Sequence, residues 1–127
     1  MRFLVLIPAL IHVYVFFVES FFWGKPRTNR TFGLRPSEVE PTRVLAFNQG
    51  VYNLLLAVAV VVGWFLWGGL FPGTQFAGQV LLGYSLGSIA IVGLTLLASV
   101  PRMWAAALLQ LVPALLGLAV VFVPGMV

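Results

Sequence analysis

Four long apolar stretches run through this chain, at about residues 3–22, 42–67, 76–98 and 103–123. A helix needs about 20 consecutive apolar residues to cross the hydrocarbon core of a bilayer. Lipid offers no hydrogen bonds to a backbone, so such stretches must satisfy their own N–H and C=O groups as helices. Only 8% of the residues are charged, where a soluble domain carries about 25%. A water-facing surface cannot be built from so few. The expected fold is therefore all-α, an antiparallel four-helix bundle in the membrane, with residues 1–127 forming one domain.

The first stretch starts like a secretory leader, with Arg2 followed by an apolar run from Phe3 to Leu10. No small-x-small cleavage site follows, and the run continues to Trp23, so it reads as a retained first span. Pro8 falls in its opening turns, where a missing N–H costs little. Pro113 lies inside the fourth stretch and predicts a kink there.

The segment 24–41 is the one markedly hydrophilic part. Its prolines (Pro26, Pro36, Pro41) and Gly33 argue against one continuous helix, and Ser37 to Glu40 has the spacing of a capping box. Lys25, Arg27, Arg30, Arg35, Arg43 and Arg102 flank the first and third loops, against Arg2 alone on the other side. That asymmetry places loop 24–41 and the third loop in the cytoplasm, with both termini outside. The net charge of +4 thus reads as membrane topology and attraction to anionic headgroups. No nucleic-acid partner is expected, since no basic helix or stacking platform lies outside the spans. Cysteine is absent, and one histidine without paired carboxylates makes no metal site. No cofactor is expected.

The informative residues are the polar ones inside apolar spans. His12 and Glu19 stand seven residues apart in the first span, about two turns, and so share a face. The second span carries Asn48, Gln49, Tyr52 and Asn53 near the end it shares with that face. Antiparallel pairing of the two spans puts Glu19 level with this cluster, with Gly50 allowing close approach. An intramembrane carboxylate is costly and marks function more often than structure. The six residues therefore form a candidate ligand site opening toward the cytoplasmic interface, with Phe16, Trp23 and Phe47 as apolar walls. The competing structural reading is that Glu19 pairs with Lys25, Arg27 or Arg43 and that the amides bind neighbouring helices. Gly83 and Gly87 have GxxxG spacing, which predicts a packing face and a homo-oligomer contact on the third span.

Two runs carry a resemblance to a known family. They are Ile11-His12-Val13-Tyr14-Val15-Phe16-Phe17-Val18-Glu19, followed by Phe22-Trp23, Pro26-Arg27 and Phe32-Gly33-Leu34, and then Asn48-Gln49-Gly50-Val51-Tyr52-Asn53. Together they resemble domain of unknown function 1304, a family of small bacterial four-span membrane proteins. The resemblance implies the four-helix architecture and supplies no activity. A fainter likeness links Arg43, Ala46, Gln49 and Asn53 to the eicosanoid and glutathione membrane enzymes. Tyr52 stands where those enzymes place a glutamate.

The function expected from these residues is non-catalytic binding of a small amphipathic molecule or lipid between spans 1 and 2. The alternatives are a glutathione-using membrane enzyme, a small proton-coupled transporter and an accessory subunit of a membrane complex.

Overall fold

The computed structural model describes residues 1–125. The chain opens with a 3-10 helix, Arg2–Leu6, that runs directly into α1, Ile7–Phe21. Two further helices follow, α2 (Pro26–Phe32) and α3 (Pro36–Trp67). After a glycine-rich turn comes α4 (Gln75–Ser99), then a short 3-10 turn, Pro101–Met103, and α5 (Trp104–Phe122). Four of these segments are long and apolar enough to cross a membrane. The fold is all-α, as the apolar stretches require.

Local chemistry sets the helix ends. Pro8 sits in the first turn of α1, where no hydrogen bond is lost. Pro26 and Pro36 occupy the first turns of α2 and α3. Between them Gly33 turns left-handed (φ +65°) and closes α2. The capping acid of α3 is Glu38, whose carboxylate accepts the Arg35 N–H at 2.7 Å and its guanidinium at 2.8 Å. This bond, with the carboxylate's charge, raises the pKa of Arg35. α3 consequently begins at Pro36, six residues before the apolar stretch at Thr42. Its 32 residues make a rod about 48 Å long, longer than the roughly 30 Å hydrocarbon core. The extra turns project into the interface. There the Ser37 carbonyl, freed by Pro41, stays in reach of water.

The helices pack in ring order α1, α3, α4, α5, and neighbours in sequence are antiparallel. Lipid provides no hydrophobic drive between helices, so close backbone approach must supply the attraction. Glycines provide it at each seam. A Cβ on Gly78 would overlap the Trp67 backbone, and one on Gly63 would lie 2.9 Å from Leu82. On Gly93 it would meet Leu111 at 3.1 Å and the Ala107 carbonyl at 3.2 Å. Val60, Leu82, Leu86, Ile89 and Ala114 fill the centre. The outer surface stays apolar, with Leu10, Val44, Leu45, Ile91 and Leu94 all exposed. An exposed apolar belt of that extent is a lipid-facing surface. The protein is a small multi-pass membrane protein.

α5 runs on through Pro113 as one helix. Gly83 is covered by Phe122 of its own chain, 3.0 Å from where a Cβ would stand, while Gly87 faces open space. Half of the GxxxG pair is thus used within the bundle.

Candidate functional site

The ring does not close evenly. The 3-10 helix at the N-terminus packs against α5 more than α1 does, and Val5 meets Gly117 there. Toward the opposite end, the first and fourth spans separate. A recess of about 790 Å³ occupies the gap. That is the size of a small-molecule site.

α1 supplies Ile11, Val15, Val18 and Glu19 to its wall, and α3 supplies Gln49, Tyr52, Asn53 and Leu56. Across from them stand Val92 and Leu96 of α4, with Ala106, Leu109 and Gln110 of α5. α2 and the residue before it border the open end and contribute Lys25, Arg27 and Thr28. From Ile11 to Glu19 the recess runs about 12 Å along the helix axis.

Its polar centre is Glu19, only 7% exposed. The Asn53 amide donates to Glu19 Oε2 at 2.7 Å and also to the Gln49 carbonyl at 3.0 Å. No cation lies within ion-pair distance of Glu19 among the described residues. Arg43 turns instead to Glu40 at 2.6 Å and to the Trp23 carbonyl at 3.2 Å. The carboxylate therefore keeps one oxygen unbonded in the recess. A hydrogen-bond donor on an occupant would complement it.

The family model for the protein of unknown function DUF1304 matches residues 6–122. The chain belongs to the DUF1304 family. No curated protein and no solved structure gives a match. The span matched takes in every residue of the recess, so the cavity is built wholly from the DUF1304 part of the chain.

In this DUF1304 protein, four of the six residues singled out in the sequence line the recess: Glu19, Gln49, Tyr52 and Asn53. His12 does not. It is 1% exposed and its Nδ1 lies 2.9 Å from the Pro8 carbonyl, so it is held within α1 away from the cavity. Asn48 is exposed and lies outside the lining. It sits on the face of α3 that carries Val44 and Tyr52, one turn nearer the start of the helix than Tyr52, which does line the recess.

The expected aromatic walls are also elsewhere. Trp23 donates to Thr42 Oγ1 at 3.1 Å and packs on Phe32, in a small second core with Val39 and Ala46. Phe16 packs on Phe17 and Phe21, and Phe47 is exposed. Gly50 admits α1 itself: Phe16 O and Ser20 Oγ occupy the space its side chain would take. Ser20 Oγ is buried there without a hydrogen-bond partner.

Two features escaped sequence reasoning. One is the α5 wall, because Ala106 and Leu109 carry nothing that marks them and Gln110 is a lone polar residue in its span. The other is the way α2 is held at the opening. Thr28 is buried beneath it, and Arg102 packs on Gly33, 2.7 Å from where a Cβ would stand. Arg102 also reaches the Phe32 carbonyl at 3.5 Å. The arginine of the third loop thus ties down the first.

Proposed function

We propose that the protein binds a small amphipathic molecule or lipid in the recess beside Glu19. The observation that carries this reading is a cavity of about 790 Å³ with an apolar wall and one polar side. Among the described residues, the buried carboxylate on that side has a single partner, Asn53. An apolar pocket with a few convergent polar groups is the ordinary form of a small-molecule site. A purely structural Glu19–Asn53 bond would not need the volume around it.

Native mass spectrometry of the protein released from its own membrane tests the reading. We expect an adduct at one per chain. Glu19→Gln and Asn53→Leu should each lower its occupancy about tenfold, the loss of one hydrogen bond worth about 1.4 kcal/mol. His12→Gln and Asn48→Leu should leave it unchanged. If Glu19→Gln and Asn53→Leu both retain full occupancy, the assignment fails.

The recess opens on the side of the first and third loops, which carry or flank six of the seven basic residues. By the excess of Lys and Arg, this side faces the cytoplasm and both termini face outward. The chain has no cysteine, so any introduced thiol is unique. Ser37→Cys should react with an impermeant maleimide only after the cells are opened. Gln75→Cys should react in intact cells. The reverse pattern would invert the topology.

A further inference from the structure

We infer that the occupant of the recess is an anionic amphiphile, its charged head held by Lys25 and Arg27 and its apolar part laid along α1 and α5. This rests on the binding reading above and names the class of ligand.

The charge inventory at that end of the bundle points to an anion. Both acids of the region are already engaged, Glu38 by Arg35 at 2.8 Å and Glu40 by Arg43 at 2.6 Å. Arg102 is directed onto Gly33 and the Phe32 carbonyl. Lys25 and Arg27 line the opening of the recess. Among the described residues, neither side chain forms an ion pair. Against Glu19, these two cations give the lining a formal charge of +1.

The cations and the carboxylate are also separated along the recess. Lys25 and Arg27 belong to the segment that borders the opening, whereas Glu19 sits inside α1, before the chain turns at Gly24. An anionic head at the opening therefore meets cations first. Glu19, with Asn53 already on one oxygen, faces the part of the ligand just below the head. Beyond it the walls are apolar: Ile11, Val15, Leu56, Val92 and Leu109. A cationic amphiphile would have to pass two like charges to reach Glu19. A free inorganic anion would leave the apolar length unfilled.

The test uses the full chain in phosphatidylcholine nanodiscs, titrated with dodecyl phosphate, dodecanol, dodecyltrimethylammonium or inorganic phosphate. Bound stoichiometry is read by native mass spectrometry. Dodecyl phosphate should saturate at one per chain and bind roughly tenfold or more tightly than dodecanol, since each basic residue near a membrane surface adds several-fold for an anion. The double variant Lys25→Gln/Arg27→Gln should bring the two within about twofold while dodecanol binding persists. Lys25→Arg should retain the preference. Inorganic phosphate should not compete.

Equal binding of phosphate and alcohol, or tighter binding of the ammonium compound, would overturn the anionic class and leave the amphiphile site standing. Competition by inorganic phosphate would overturn the amphiphile in favour of a simple anion. Failure of every alkyl compound to bind at one per chain would overturn the binding reading itself.

Discussion

Ala106→Trp is expected to empty the recess while leaving the bundle folded. Ala106 stands on the α5 wall of the cavity that Glu19 and Tyr52 also line. A tryptophan there would fill space that is vacant of protein atoms, so it need not displace a packed neighbour. Its indole can also bury a large apolar area against the same walls a ligand would use. We expect affinity for dodecyl phosphate to fall roughly 100-fold, about 2.7 kcal/mol, with the helical circular-dichroism spectrum unchanged. Ala105→Trp supplies the control. Ala105 is the next residue, exposed and outside the lining, and its replacement should leave affinity within about twofold. Equal losses in the two variants would mean that the recess is not where the ligand sits.

The second large effect concerns the fold. Gly78→Ala should be among the most damaging additions of one methyl in the chain. Its Cβ would run into the Trp67 backbone, which cannot rotate away as a side chain can. α3 and α4 would have to separate at the end of their shared seam. Overpacking of this kind costs about 1–3 kcal/mol, occasionally more, and a backbone obstacle belongs at the upper limit. Gly87→Ala is the matched comparison, since among the described residues no other helix comes within 4 Å of where its Cβ would stand. It should leave stability unchanged or raise it by up to about 1 kcal/mol, since alanine is the better helix former. Reversible unfolding in mixed micelles measures both. Similar values for the two would contradict the close α3–α4 contact.

The architecture was legible because the bilayer leaves a sequence few options. Long apolar stretches in a chain with so few charges can only be membrane helices, and Gly68-Gly69, Pro72-Gly73 and Pro101 mark where they stop. The start of α3 was less legible. Composition locates the edge of the hydrocarbon core near Thr42, but a helix ends where its backbone is capped, and Glu38 caps it at Arg35. α2 was missed for a related reason. Its seven residues, Pro26–Phe32, carry no apolar period, and it is held by tertiary contacts from Trp23 and Arg102.

At the site, sequence reasoning found the residues whose presence in lipid is expensive. It could not sort them by facing. Glu19 and Asn53 meet because Gly50 brings α1 and α3 together at that level. Asn48, one turn before Tyr52 on the same face of α3, is exposed beyond the lining. His12 shares the helix face of Glu19 by spacing and lies at the level of Ile11, which lines the recess, yet it is buried among the helices, with its Nδ1 at the Pro8 carbonyl of its own helix. The α5 wall was invisible because alanine and leucine look the same facing a ligand, a helix or a lipid.

Everything functional depends on a molecule occupying the gap between the first and fourth spans. Photocrosslinking locates it most directly. A dodecyl probe carrying a diazirine, offered with either a phosphate or a hydroxyl head, is irradiated with the protein in nanodiscs, and the labelled positions are mapped by peptide mass spectrometry. Label should gather on Val15, Val18, Leu56, Val92 and Leu109, which line the gap, for at least one of the heads. Label spread evenly over Leu10, Val44, Leu45 and Leu94, the outward-facing surface, with no excess in the gap, would contradict the account.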